Sequence, residues 1–409
     1  MAIRDGATFL VLPVNFMFKR VCAVAAGWRR PAAAIVLLAA TAAGAQTPGP
    51  AEAQVLEQQG KLDEAAQVWR SVTRRNPTNA AAFANLGVVL SKQGSYQDAV
   101  AAYRKALALN PKLQGVYLNL GLAEFKQGHF EAAIAPLSKA LTADPKSEQV
   151  RTLLGISYYG AQRFAEAVKY LKPVADSDPQ NSELHRMLAQ SCLWAKQYAC
   201  AQDEFRKLLL MNPDSAAVHM FSGEALDGMG KTDEAILEFQ AAAKVAPREP
   251  NVHFGLGYLY WKTHDYDNAH REFEAELQLD PNHLQALAYL GDTEMKQEHW
   301  ESALGWLQKS LREKNDNRMA ALDLGVVLAQ LGRNDEALVA LKRAVALDPA
   351  QPDAHYRLGR LYQQMGRRAE SQQEFDKVRD LRQKADEDFV HKMSPASPTS
   401  GLPEPQPHN

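Results

Sequence analysis

One fixed period, equal to the interval from Pro77 to Pro111, runs through most of this chain and constrains its fold more than any other feature. The stretch NLGVVLSKQGSYQDAVAAYRKALALNP, which begins at Asn85, returns at Asn119 as NLGLAEFKQGHFEAAIAPLSKALTADP. A proline closes each period at Pro77, Pro111, Pro145, Pro179, Pro213, Pro247, Pro281 and Pro349. Because the spacing has no insertion or deletion, the chain is built from repeats of one supersecondary unit.

The residue types within one period predict two helices joined by a tight turn. If the proline is counted as position 32, then positions 4, 7, 8 and 11 lie on one face of a first helix, and positions 20, 24 and 27 lie on one face of a second. Position 8 is small, as in Gly87, position 20 is small, as in Ala99, and position 24 is large, as in Tyr103. Small residues let the two helices approach closely, and the large one fills the remaining space. Gly94 at position 15 tolerates the positive φ that ends a helix.

This pattern closely resembles the tetratricopeptide repeat, a helix–turn–helix of about 34 residues. The resemblance covers residues 46 to about 383, or ten units, and implies an all-α protein, a right-handed α-α superhelix in which first helices line the concave face. We predict a partial or capping unit at 46–79, because Pro48 and Pro50 lie where its first helix begins, and nine units in register at 80–383. The eighth unit departs most, with Glu298 at position 15 and Asn315 at position 32, so we expect a looser junction there. Residues 384–409 are predicted to be a helix end followed by a disordered tail rich in proline and serine.

Residues 1–45 have the features of a secretory signal. Basic residues precede an apolar run that begins at Pro31, and Ala43 and Ala45 place small residues ahead of Gln46. The run is shorter than the roughly 20 residues of a membrane-spanning helix. We therefore predict a cleaved signal peptide at residues 1–45, with Met17 as an alternative start, and a periplasmic or secreted protein without a later transmembrane segment. An uncleaved signal that anchors the protein is the alternative.

Composition and cysteine content limit the kinds of partner. The chain has a net charge of −2, which argues against a dominant role in binding nucleic acid or membrane surfaces. Cys192 and Cys200 are the two cysteines after the signal. We interpret them as buried thiols that act as small apolar residues. The alternative is a local disulfide that links one helical hairpin, which an exported protein can form.

The sequence contains no pattern typical of a catalytic or cofactor site. The GLGYLY stretch at 255–260 has no third glycine and no preceding strand, so Gly257 is read as position 8 of the seventh repeat. His264 and His270 are six residues apart and do not share a helix face, so the acidic turn around them is interpreted as solvated. The repeats leave no room for a further enzyme domain. We predict a protein that is not an enzyme and that needs no metal or cofactor.

A stripe of large apolar residues on the first helices is the best candidate for a binding surface. Positions 2, 5, 9 and 12 lie roughly 130° from the core stripe, and a solvated stripe would be polar. In repeats 3 to 7 it often carries apolar or aromatic residues instead, and exposed apolar surface usually marks an interaction site. The alternative is that some of these residues contact the neighbouring helix of the stack. The predicted residues are Leu118, Phe125, Ile156, Tyr159, Leu193, Trp194, Met220, Phe254, Tyr258 and Trp261.

Two asparagines complete the set of twelve predicted site residues. Asn85 and Asn119 at position 6 are candidates to bond the backbone of a bound peptide, as in some relatives, or are simply solvated. The carboxylate clamp of tetratricopeptide co-chaperones requires Lys at position 5 and Asn at position 9. Here Ala84 and Val88 occupy those positions, so the clamp is not supported.

These features predict a scaffold that binds protein segments in a concave groove within the cell envelope. The alternative is a structural part of an envelope machine, such as one for polysaccharide export or pilus assembly. Such a part would contact a membrane-bound complex or a glycan, because aromatic side chains also stack on sugars.

Overall fold

The computed structural model describes residues 49–393, which form helices and short connections. These residues fall into two compact units, one ending at Val245 and the other beginning at Ala246. The first unit contains α1 (Pro50–Gln58), α2 (Leu62–Arg75), α3 (Ala80–Lys92), α4 (Tyr96–Leu109), α5 (Gln114–Lys126), α6 (Phe130–Ala143), α7 (Glu148–Gly160), α8 (Phe164–Ser177), α9 (Ser182–Trp194), α10 (Tyr198–Met211), α11 (Ala216–Gly228) and α12 (Thr232–Val245). The second contains α13 (Val252–Lys262), α14 (Tyr266–Leu279), α15 (Leu284–Lys296), α16 (Trp300–Glu313), α17 (Arg318–Gln330), α18 (Asn334–Leu347), α19 (Pro352–Gln364) and α20 (Arg368–Met393).

Within each unit every helix packs on the next one in chain order, and from α3 onward each odd-numbered first helix also contacts the first helix of the next repeat. This is the arrangement of a helical solenoid, so the predicted all-α fold is confirmed. The predicted signal peptide at 1–45 and the tail beyond residue 393 lie outside the described residues. Within residues 49–393, the structure has no helix whose length and apolar character would let it cross a bilayer.

Small and large residues meet between the two helices of a repeat, as the sequence predicts. A Cβ added to Gly291 would lie 2.6 Å from Leu307 Cγ, and one added to Gly257 would lie 2.8 Å from Phe273 Cδ1. In both cases a residue at position 8 faces one at position 24 of the same repeat. The glycine is therefore required by the close approach of the large side chain rather than by its backbone angles.

The turn after each first helix has one conformation throughout. Glycines at position 15, such as Gly94, have positive φ, and so do the four residues that replace glycine there, Gln162, Lys196, His264 and Glu298. The eighth repeat accordingly keeps the ordinary helix lengths, with 13 residues in α15 and 14 in α16. Four residues, among them Asn315, separate α16 from α17. The same number, among them Pro349, separates α18 from α19, so the helix bounds show no longer connection at the junction that we expected to be looser.

Cys192 in α9 and Cys200 in α10 form a disulfide, with a sulfur–sulfur distance of 2.02 Å. The interpretation of these residues as free thiols was therefore wrong, and the local bridge is what the structure contains. Position 11 of the first helix faces the second helix of the same repeat, which brings the two sulfur atoms together. The bridge links the two helices of one hairpin.

A histidine–glutamate pair recurs between position 4 of a first helix and position 23 of the second. The pairs are His185–Glu204, His219–Glu238, His253–Glu272 and His355–Glu374. In the third pair, His253 Nδ1 lies 2.7 Å from Glu272 Oε2, and Nε2 lies 3.0 Å from the carbonyl oxygen of Pro247. Both of these partners are acceptors, so the ring satisfies both contacts only when each nitrogen carries a proton. The hydrogen bond to Glu272 raises the pKa of His253 above its ordinary value.

We expect replacement of His253 by alanine to be most damaging at acidic pH. A pKa that is higher in the folded than in the unfolded state gives stability that is fully present below the unfolded value of 6.5 and is lost as the pH rises through the folded value. Thermal melting followed by circular dichroism should therefore show a larger difference between wild type and His253→Ala at pH 6 than at pH 8.5. An equal difference at both pH values would contradict a charged His253.

Candidate functional site

The twelve predicted site residues divide evenly between buried and half-buried positions. The buried ones are Phe125, Ile156, Tyr159, Leu193, Met220 and Phe254. The half-buried ones are Asn85, Leu118, Asn119, Trp194, Tyr258 and Trp261. Contact with neighbouring helices, which was the alternative interpretation of the stripe, therefore explains why many of its residues are large and apolar. Peptide binding by the half-buried residues stays a prediction.

In the first unit, two of the predicted residues belong to the packing of the stack. Tyr159 is buried, its hydroxyl donates to Gln190 Oε1 at 2.7 Å, and burial raises its pKa. The ring of Trp194 lies 4.7 Å from that of Phe164, which begins the second helix of the preceding repeat. In the repeats on either side, a glycine takes the place of Trp194 and meets the corresponding aromatic ring, as Gly228 meets Tyr198. Trp194 thus fills space at the edge of the stack.

In the second unit, three aromatic side chains form a half-buried cluster on neighbouring first helices. Tyr258 and Trp261 of α13 are stacked with ring centroids 5.9 Å apart, and Tyr289 of α15 meets both edge-on, at 5.5 and 5.1 Å. We call Tyr258, Trp261 and Tyr289 the aromatic patch. Each of them keeps part of its surface exposed. Edge-on and stacked contacts fix the ring orientations, so the patch is a preformed surface.

Two buried carboxyl groups adjoin the aromatic patch, and we call Asp292 and Asp323 the paired aspartates. Asp292 in α15 accepts a hydrogen bond from Trp261 Nε1 at 2.6 Å, and its Oδ1 lies 3.9 Å from Lys296 Nζ. Burial raises the pKa of Asp292, although Lys296 and the Trp261 bond act in the opposite direction. For Asp323 in α17, burial and then the charge of Asp292 hold the pKa well above its usual range. This face of the second unit therefore combines aromatic surface with carboxyl groups.

An open cavity of about 510 Å³ lies between α17 and α19 of the second unit. Most of its polar lining comes from α19, where Arg357, Arg360 and the amides of Gln363 and Gln364 face the space, and α17 adds Gln330. Both arginines are exposed. The first-helix face, meaning positions 5, 6, 9 and 12 of the odd-numbered helices, thus changes from aromatic and acidic at α13 to α17 to basic at α19.

Sequence reasoning missed Tyr289, Asp292 and Asp323, although two signals were present. Asp292 occupies position 9 of the stripe, where an acidic residue is also what a solvated stripe would carry. Position 6 holds Tyr289 in the eighth repeat and Asp323 in the ninth, whereas the sequence prediction used only asparagines at that position. Glu224 at position 9 of α11 was missed in the same way, and burial raises its pKa to about 8.

His264 lies in the turn before α14 and His270 lies within that helix, and the surrounding polar side chains make structural contacts. Asp265 accepts a hydrogen bond from the backbone N–H of Asn268 at 3.2 Å and so caps α14. His270 Nδ1 lies 2.5 Å from Glu294 Oε1 in the next repeat. Within residues 49–393, no three histidine, cysteine or acidic side chains come together in a way that could hold a metal ion.

Models of one repeat family match nearly all of the solenoid. Four matches described as tetratricopeptide repeat cover residues 51–114, 89–148, 223–267 and 254–318, and a further one covers 158–225. A model described as TPR repeat matches 325–366, and another described as tetratricopeptide repeat matches 352–384.

Several known proteins are similar to parts of this chain. A curated relative, anaphase-promoting complex subunit 3 of Schizosaccharomyces pombe, is 28% identical over 127 residues, which are 31% of this chain and 19% of the relative. The chain thus spans about a fifth of that protein. Among solved structures, YrrB, a TPR protein with an unusual peptide-binding site, is 23% identical, with a TM-score of 0.39 over 46% of this chain and 98% of YrrB. The APC/C hetero-tetramer Cut9-Hcn1 is 14% identical, with a TM-score of 0.46 over 81% of this chain and 80% of the matched chain.

Proposed function

This chain belongs to the tetratricopeptide repeat family, and we propose that it is a non-enzymatic scaffold that binds segments of partner proteins on its first-helix face. The observation that carries the proposal is the aromatic patch. Its three rings are held in fixed orientations yet remain partly exposed on neighbouring first helices. Rigid aromatic side chains provide binding surface at a low cost in conformational entropy and often dominate interfaces.

The same reasoning limits which predicted residues take part. Tyr258 and Trp261 fit the proposal, because both belong to the patch. Phe254 contacts the patch on its buried side, since its ring lies 5.9 Å from that of Tyr289. Three further predicted residues are half-buried on first helices of the other unit and are candidates for contacts with a bound segment. They are Asn85, Leu118 and Asn119.

We also propose that the protein acts outside the cytoplasm, in the cell envelope. The support is the basic, then apolar, then small-residue pattern of residues 1–45, together with a disulfide that an oxidising compartment would maintain. Mass spectrometry of the N-terminus of the protein from an envelope fraction tests this. We expect a chain that begins at Gln46, whereas a chain that retains the apolar run would favour the anchored alternative.

Photo-crosslinking from the patch tests the scaffold proposal. A photoreactive residue at Tyr258 should capture one dominant protein segment, while one at Val339, an exposed position on α18 of the same unit, should not. A synthetic peptide of the captured segment should then bind the purified protein. The substitution Tyr258→Ala should weaken that binding by about tenfold or more, as expected for an aromatic hot spot.

Equal capture from Tyr258 and Val339 would count against the scaffold proposal. So would a captured segment whose peptide binds wild type and Tyr258→Ala alike. Either result would favour the second class of function, a structural part of an envelope assembly or a glycan-binding protein.

A further inference from the structure

Asp323 has a buried carboxyl group with one unpaired oxygen. The residue is only 6% exposed, and Oδ2 has no hydrogen-bond partner among the described residues. Buried polar atoms are normally hydrogen-bonded, because leaving one unpaired costs free energy. An apolar residue at this position of the first helix would avoid that cost, as Leu153 does at the same position of α7. The unpaired oxygen therefore requires an explanation beyond the packing of the fold.

The position of Asp323 relates it to the patch. Three consecutive first helices each contribute one residue to a diagonal across the first-helix face. These are Trp261 at position 12, Asp292 at position 9 and Asp323 at position 6. The first step of this diagonal is a direct contact, the hydrogen bond from Trp261 Nε1 to Asp292. At the second step, the charge of Asp292 acts on Asp323. Asp323 thus adjoins the aromatic patch through Asp292, and its unpaired Oδ2 lies beneath the surface that carries the patch.

The charged groups around Asp323 leave its carboxyl group without a fixed counter-ion. Lys296 of α15 is engaged with Asp292, and Arg357 of α19 is exposed beside the cavity. Asp353 of α19 adds a further negative charge. Because two neighbouring carboxyl groups resist simultaneous ionisation in a buried setting, burial and the charge of Asp292 raise the pKa of Asp323 and favour its protonated form when the surface is empty.

We propose that the paired aspartates and the aromatic patch bind a basic side chain, arginine or lysine, of the protein segment that the first-helix face accepts. A guanidinium or ammonium group supplies the donors that Asp323 lacks, and charge-assisted hydrogen bonds are stronger than neutral ones. Aromatic faces add attraction for the same cation. The inference rests on the proposed scaffold function and specifies the chemistry of its partner: this part of the surface selects positive charge, the opposite of a clamp for a peptide carboxylate.

The binding step changes the protonation of the protein. A cation beside Asp323 stabilises its carboxylate form, so binding lowers the pKa of Asp323 and promotes loss of its proton. Calorimetry in two buffers with different heats of ionisation should therefore detect proton release when a basic peptide binds, and the release should be absent from Asp323→Asn. The variant Asp323→Asn has no such proton to release.

A display selection on the full-length protein tests the inference. A random peptide library is selected on wild type, on Asp323→Asn and on Asp335→Asn, which removes an exposed carboxylate of the same repeat on α18. We expect arginine or lysine at one fixed position among binders of wild type and Asp335→Asn, but not among binders of Asp323→Asn. Replacing that residue of the best peptide by citrulline, which is neutral and similar in shape to arginine, should weaken binding to wild type about tenfold or more.

The outcomes separate the inference from the function on which it rests. Peptide binders without a preferred basic residue would overturn the cationic subsite but leave the scaffold function standing. A basic preference that persists unchanged in Asp323→Asn would do the same. Failure of wild type to select any peptide would overturn the scaffold function itself. The citrulline comparison uses wild type alone, so it decides the question even if Asp323→Asn does not fold.

Discussion

Replacing Phe273 by alanine is expected to lower the free energy of unfolding by about 3–5 kcal/mol. Phe273 at position 24 of the seventh repeat has no exposed surface, and its ring lies 5.9 Å from those of Phe254 and Tyr289. It also fills the space that Gly257 leaves open. Removal of the ring leaves a cavity that rigid helices on every side cannot close. Urea unfolding followed by circular dichroism measures the loss.

The matched control is Phe389→Ala. Phe389 lies in the long helix α20 and is 64% exposed, so its removal should change the free energy of unfolding by no more than about 0.5 kcal/mol. Similar effects of the two substitutions would contradict the placement of Phe273 in the core. Because each repeat contacts only its neighbours, the loss should also appear first in the second unit, which hydrogen exchange can resolve.

The same glycine-to-alanine change is expected to have opposite signs at two sites of the eighth repeat. At Gly291 a new Cβ would lie 2.6 Å from Leu307 Cγ and 3.3 Å from the backbone nitrogen of Leu307. The helices must then separate, and we expect Gly291→Ala to destabilise the protein by about 1–3 kcal/mol. At Gly305, within α16, nothing lies within 4 Å of the added atom. There alanine should stabilise the protein by about 0.5–1 kcal/mol, because it restricts the unfolded chain.

Urea unfolding of the two variants under identical conditions measures the contrast. If Gly291→Ala were neutral, the close approach of α15 and α16 would not depend on the missing side chain. If Gly305→Ala were destabilising, an unrecognised contact would exist on the outer face of α16. The two sites share a repeat, so differences between units do not affect the comparison.

The core of each repeat could be predicted from the sequence because it is local. Positions 8 and 24 belong to the same repeat, and the two helices that carry them are joined by a short turn. The candidate binding surface was harder to predict, because its contacts join different repeats. Helical periodicity places Phe254 and Trp261 on one stripe of α13, but it does not show that Phe254 is fully buried while Trp261 remains half-exposed.

The paired aspartates show the same limit. Asp292 and Asp323 belong to different repeats, and each looks like an ordinary surface acid in its own helix. Only the stacking of α15 and α17 buries both and brings the charge of one to act on the other. The disulfide was only partly predictable. Cys192 and Cys200 belong to one hairpin, but their spacing alone was compatible both with a disulfide and with two free thiols.

By itself, the sequence determined the repeat, its two helices and the small-to-large contact between them, because these follow from periodicity and from side-chain size within one unit. Tertiary structure decided what periodicity does not encode. Gln162, Lys196, His264 and Glu298 adopt the positive φ that glycine favours, because packing of the helices on either side fixes the turn. Tertiary structure also separates two compact units after Val245, although the register of the repeats continues unbroken. The next helix, α13, begins at Val252, two residues beyond Pro250. Contacts between repeats bury surface that each repeat alone would expose, and they decide which aromatic and acidic side chains remain available to a partner.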